Sequence, residues 1–306
     1  MTVAEDGPGR EGADGTSGMS AHADDGYTPS ERRLKRERHR RVRARRATAI
    51  AALSTLVTAA VLYLVVVNAP GWPRTRETFF NGQYAREALP KVLEGLWLNV
   101  RLLLVCGAAV LVLGMLIAIA RTLRGPVFFP LRALAAAYTD FFRGLPLLIN
   151  LMIVVLGVPA LRLQGVTVDP VLLGGTALTL TYSAYVAEVF RAGIESVHPS
   201  QRAAARSLGL SNRQALRHVV LPQAIRRQVP PLLNDLVSLQ KDTGLVSIGG
   251  AIDAVRAADI IVGRSLNYTP YIVAGLVFVA LTIPMTRFTD WVTARMDRQR
   301  AQGGSI

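Results

Sequence analysis

The chain has 306 residues, a net charge of +14, 51% hydrophobic and only 18% charged residues. With a mean hydropathy of +0.32, that balance excludes an ordinary water-soluble fold and points to a membrane protein. A single cysteine, Cys106, set in an apolar run, excludes a disulfide framework or a thiolate metal cluster within one copy.

Met1 to Ser30 is Gly-, Asp-, Ser- and Ala-rich with almost no large apolar residues. It cannot bury enough surface to offset chain entropy, and residues 1–47 as a whole are expected to form a disordered basic tail. Much of the positive charge sits at its end, in "ERRLKRERHRRVRARR" (Glu31 to Arg46). Such a run is attracted to anionic lipid by roughly 1 kcal/mol per basic residue near the surface, and it orients the helix that follows. It has no interleaved aromatics, so nucleic acid is not an expected partner.

Thr48 to Val67 is the first apolar stretch, matching a bilayer core of about 30 Å. An extracytoplasmic segment, residues 69–95, follows. Further spans are expected at Leu96–Ala120, Thr139–Ala160, Val171–Phe190, Pro231–Ile252 and Tyr271–Trp291. An all-α membrane protein with six transmembrane helices results. Six spans put both ends on one side, and the basic loops, "RTLRGPVFFPLR" among them, assign that side to the cytoplasm. Residues 292–306 then form a second cytoplasmic tail.

Arg143, with Gly144 and Pro146 beside it, reads as an interfacial anchor at a bent entry to the third span. Glu188 and Arg191, three residues apart near the end of the fourth, can pair as a structural anchor. The fifth span is the most polar. Asn234, Ser238 and Lys241 share one helical face with Leu245, and Asp242 lies beside it. Ionisable groups at that depth face a bundle interior or a water-filled path, so these four residues are the candidate translocation path, with Lys241 able to pair with an aspartate.

Between the fourth and fifth spans, at residues 191–230, lies a loop that looks soluble. Pro199 suits a first helical position, Gly209 a left-handed cap, and Ser211 with Gln214 a capping box. Two short helices with a corner at Gly209 are expected, closed by Pro222. Ala203, Ala204 and Ala205 give the first helix a low-relief surface ringed by Arg202, Arg206, Arg213 and Arg217.

"AAARSLGLSNRQALRHVVLP" resembles the cytoplasmic EAA loop of ATP-binding-cassette importer permeases, with Ala203, Ala204, Ala205, Gly209, Val219, Leu221 and Pro222 at the motif positions. Ala203 stands where that family has Glu, and Val219 where it has Ile. "YTDFFRGLPLL", "AEVFRAGIESVHPSQ" and "LPQAIRRQVPPLLNDLVSLQKDT" are similar to permeases of the polar amino-acid branch. The resemblance covers about Leu96 to Trp291. It implies a type I importer permease core, with the first span added to the commoner five-span form.

Implied partners are a cytoplasmic ATPase dimer gripping the coupling loop, a second permease subunit, identical or related, and an extracytoplasmic amino-acid-binding protein. A multi-pass protein of the bacterial plasma membrane importing a glutamate- or glutamine-like solute is the expectation, with arginine, histidine and cystine also open. The three lysines, Lys35, Lys91 and Lys241, fit no phosphate-binding loop. The four histidines show no metal-ligand spacing. No catalytic residue, metal or cofactor is expected on this chain; ATP would be held by the partner. The competing readings are a stand-alone secondary transporter or channel, and a membrane-tethered regulator acting through the basic tail.

Overall fold

The structure is a computed structural model and describes residues 31–123 and 125–303, with side chains placed for residues 43, 45–123 and 125–298. The disorder expected for residues 1–30 lies outside the described residues. Two compact units divide the chain after Ala69. In the first, α1 (Glu31–Val67) runs unbroken through the basic run and the apolar span. The disordered tail expected up to residue 47 is therefore corrected from Glu31 onward. Arg, Glu, Lys, Leu and Ala are good helix formers, and no Gly or Pro interrupts residues 31–67.

The second unit opens with α2 (Trp72–Phe79) and α3 (Gly82–Thr122). The third helix begins well before the span expected from Leu96. Asn81 caps it by accepting from Gln83 N–H at 2.9 Å, and at 41 residues it is about 60 Å long, twice a bilayer core. The junction before it is tied down: N-cap Asn81 N–H donates to Thr269 Oγ1 at 2.9 Å, and Tyr268 N–H to Thr78 O of α2 at 2.8 Å.

The third expected span is broken. After a short turn at Pro126–Phe128 come α4 (Phe129–Gly144) and α5 (Leu147–Met152), a π turn at Ile153–Gly157 and α6 (Val158–Ala160). The chain bends by 103° between Gly144 and Leu147, because Pro146 forces Leu145 into an extended conformation and cannot continue the helix. The bend falls at the expected Gly144 and Pro146, and it divides the segment Thr139–Ala160 between two helices.

Next are α7 (Pro170–Glu195), capped by Asp169 Oδ1, then α8 (Pro199–Ser207), α9 (Asn212–Ala215), a π turn at Leu216–Val220 and α10 (Leu221–Asp242). A tight turn at Thr243–Gly249 leads to α11 (Ala254–Ser265) and α12 (Thr269–Gly303). The fifth helix thus starts ten residues before the expected Pro231 and loses α geometry at Asp242. Pro222 does not close a helix; it sits in the first turn of α10, where its missing N–H is tolerated. The supposed final tail is a continuation of α12 as far as Gly303.

Two apolar clusters form the core. One gathers Leu102, Cys106, Val110, Leu151, Leu178 and Leu239 around α7; the other packs Ala88 and Val92 of α3 on Ala258 and Ile261 of α11 and Ala274 of α12. Gly95 allows the second: a Cβ there would lie 2.5 Å from Ala254 N, inside any permitted contact. Among the described residues Arg45–Val67, Trp72–Thr122 and Thr269–Arg298 are long and apolar enough to cross a membrane, and the bent pair, counted as one span, makes a fourth. α7 and α10 have 26 and 22 residues but carry Thr, Ser, Tyr, Gly and charged groups that dilute their apolar content. α7 is instead covered by its neighbours along most of its length, with Leu178, Ala184 and Ala187 fully buried.

Candidate functional site

The loop between α7 and α10 takes the geometry its sequence dictates. His198 caps α8 with Nδ1 accepting from Ser200 N–H at 3.2 Å, and Pro199 occupies the first turn. Gly209 has φ +84, the left-handed conformation that turns the corner. Ser211 and Gln214 form the reciprocal capping box, at 2.9 and 3.3 Å. α9 then passes through the π turn into α10, so the loop's second helix is continuous with a core helix.

The residues proposed to form the docking surface divide. Ala203, Ala204, Gly209, Arg213 and Pro222 are exposed. Ala205 is buried, and Val219 and Leu221 are half-buried, Leu221 against the central cluster. The low-relief surface is therefore Ala203 and Ala204, while Ala205 anchors α8. Leu208, at the corner, is 81% exposed and was not singled out from the sequence; a bulky apolar residue next to a left-handed glycine is the signal that marks it. Guanidinium groups hold the loop to α7: Arg202 Nη2 donates to Ile194 O at 3.1 Å, and Arg227 Nη1 to Ser196 O at 2.6 Å. Both meet carbonyls at a helix C-terminus, where the dipole favours cations.

One turn earlier on α7, Glu188 and Arg191 are paired as expected. The sequence did not reveal that Glu188 is a hub. Arg121, at the end of α3, reaches it at 2.7 Å and also donates to Thr139 of α4 at 2.9 Å. Arg143 lies 4.0 Å away and Arg191 bridges on to Glu195. One carboxylate thus joins the ends of α3, α4 and α7 beside the loop.

On α10, Asn234 and Lys241 are exposed and Ser238 is half-buried, so the expected polar face is an outer face of the single chain. Lys241 forms no ion pair among the described residues, which corrects the expected pairing; Asp242 instead accepts from Tyr182 Oη at 2.6 Å. Behind it, Asp235 has a buried Oδ2 with no hydrogen-bond partner. Tyr182 and Asp235 were not among the expected path residues. Deeper still, Asn99 donates to Asp253 Oδ2 at 3.0 Å and Thr243 Oγ1 at 3.3 Å and accepts from Ala254 N–H at 3.1 Å. No group of His, Cys, Asp and Glu among the described residues has the arrangement of a metal site.

A bundle of membrane helices with a polar helix on its flank and a structured soluble-type loop defines a multi-pass transport component. The family described as "binding-protein-dependent transport system inner membrane component" matches residues 110–298, and the chain belongs to it. The probable glutamine ABC transporter permease protein GlnM of Bacillus subtilis is 36% identical over 188 residues, 61% of this chain and 84% of that protein. The arginine transport system permease protein ArtQ of the same organism is 34% identical over 199 residues, 65% of this chain and 89% of its own length. Among solved structures, an amino acid ABC transporter with histidines superimposes at TM-score 0.60 and 31% identity, covering 67% of this chain and 94% of that one. The inward-facing MetNI methionine ABC transporter, at TM-score 0.54 and 20% identity, shares the fold, covering 67% and 95%. The type I importer permease fold is thereby shown, and the chain is a membrane subunit of a family whose transporters include an ATPase.

Proposed function

We propose that the chain is the permease subunit of an ATP-binding-cassette importer for a polar amino acid, and that α8, Gly209 and α9 form the surface gripped by a separate ATPase dimer. The observation carrying this reading is the exposed, low-relief face of Ala203 and Ala204, flanked by Leu208 and Arg213 and fixed to α7 and α10 at both ends. A rigid body so attached transmits motion of a docked partner directly into two helices of the bundle. Amino-acid transport by the relatives supports the solute class.

Lys241, on the exposed face of α10, suits the carboxylate of an amino acid, Asp235 lies about 120° round the same helix as an acid behind that face, and a solute of glutamine or glutamate type is the proposed cargo. Asn234, Ser238, Asp242 and Tyr182 line the same stretch. The exposed face of α10 calls for a second permease subunit, since unpaired polar groups are costly against lipid. An extracytoplasmic binding protein delivers the solute, ATP is held and hydrolysed on the partner, no resident cofactor is needed, and both termini face the cytoplasm. Arg143, Glu188 and Arg191, joined by Arg121, anchor the helices next to the loop.

The test is a Gly209→Val, Pro222→Ala double variant, checked for monodispersity in detergent. The reading expects loss of ATPase co-purification and of uptake; retention of both contradicts it. Asp235→Asn is expected to raise the KM for solute about tenfold with ATPase assembly intact.

A further inference from the structure

α3 and α7 enclose between them an open trough of about 580 Å³ that the transport reading does not use. Its walls are Leu98, Leu102 and Val105 of α3 and Leu172, Thr176 and Leu180 of α7, with Arg101 and Asp169 at one end. It exists because small residues face each other where the helices meet. Gly175 sits against Cys106, whose Sγ lies 3.5 Å from the Gly175 carbonyl oxygen, and Ala109 and Thr179 follow one turn further in.

Two features point to an occupant. Arg101 lies within an apolar helix long enough to span the membrane, is exposed, and has no ion pair or hydrogen bond among the described residues. A guanidinium in that position is stable only if an anion or interfacial water meets it, and phosphate, which it binds with two parallel hydrogen bonds, is the anion found at that level. Asp169 adds a carboxylate whose Oδ1 caps α7, accepting from Val171 N–H at 2.7 Å and Leu172 N–H at 3.3 Å. Oδ2 is left for an outside cation. The second feature is length: from Arg101 to Ala109 the trough runs about 12 Å at 1.5 Å per residue, most of one leaflet of a 30 Å hydrocarbon core. A cation and an anion at one end, with an apolar channel most of one leaflet deep, match a single molecule of zwitterionic phospholipid.

We propose that this trough binds a phosphatidylethanolamine-type lipid, its phosphate on Arg101, its ammonium on Asp169 and one acyl chain lying between α3 and α7. The inference rests on the chain being membrane-embedded and not on which solute is carried.

The full-length protein is reconstituted in nanodiscs containing phosphatidylethanolamine with a photoreactive group in its acyl chain, or the same probe with a phosphatidylglycerol headgroup, and labelled peptides are mapped. Labelling is expected to concentrate on residues 98–109 and 171–180, and to fall at least fivefold in Arg101→Gln and in Thr176→Trp, which fills the channel. Asp169→Asn keeps an acceptor for the helix cap; it is expected to abolish the preference for the ethanolamine probe and leave glycerol-probe labelling unchanged. Each variant is checked by size-exclusion profile and thermal midpoint, so a misfolded protein is recognised. Equal labelling of exposed α12 surfaces, or labelling unchanged in both Arg101→Gln and Thr176→Trp, overturns the proposal. So does efficient cross-linking of Val105→Cys chains to one another, which would mean that a second copy covers the trough.

Discussion

Glu188 receives charge-assisted hydrogen bonds from two arginines and lies near a third, and each such bond contributes about 1.5–3 kcal/mol before solvent screening. The Glu188→Gln change leaves Arg121 and Arg191 without their shared anion, and with the site partly open to water a net loss of about 2 kcal/mol is expected. Thermal unfolding in detergent checks this, with Glu188→Asp recovering part of the loss. Half of the hub was legible in the sequence: Glu188 and Arg191 stand at helical spacing, whereas Arg121 is 67 positions away and meets them only once α3 packs on α7. Asp235 stands beside the polar face in the sequence just as Asp242 does, and nothing there ranks it, since Asn234 and Asp242 are equally polar and only burial separates them. Asn99 is the plainest case of a residue that sequence could not rank. Its three partners are far along the chain, and Asn99→Ala, by removing the donor to buried Asp253 Oδ2 while Arg256 N–H still meets Oδ1, is expected to cost about 1–3 kcal/mol in the same assay.

At the scale of elements, caps and corners were read correctly because they are local. Pro199, Gly209 and Ser211 with Gln214 each act within a few residues, and each adopts the expected geometry; the His198 cap was not among the expectations. Gly209→Ala puts a side chain at φ +84 with open space around it, so the penalty is backbone strain alone, about 1–2 kcal/mol. ATPase affinity is expected to weaken up to tenfold, and the unfolding midpoint to fall by no more than that strain accounts for. Helix ends fared worse. Hydropathy marks where lipid begins, not where hydrogen bonding stops, so α3 and α10 start well before their apolar windows and α1 extends back into its arginines. Ala203 also belongs to this scale: it is exposed and ringed by arginines, and Ala203→Glu weakens ATPase binding in a pull-down if the partner surface is acidic, or changes little if the glutamate is dispensable.

For the whole molecule, the polar outer face of α10 and the exposed α8–α9 loop are open surfaces in a single chain, and the proposed function assigns a second permease subunit to the first and an ATPase to the second. Composition and order of apolar stretches were enough to give a helical membrane protein. They could not give the 103° bend as a number, or that α7 would be the enveloped helix, because both depend on which faces pack. The match to the family begins within α3, so deleting residues 1–67 is expected to leave uptake at near full rate in cells; loss of uptake with normal membrane insertion would favour a role for the basic helix. The most direct test of the transport account is solute uptake into proteoliposomes holding this chain with and without its ATPase, ATP and binding protein. Accumulation of labelled glutamine or glutamate only when all are present, and its loss in the Gly209→Val, Pro222→Ala variant, is the predicted result. Equal uptake by the chain alone, without ATP, would contradict it.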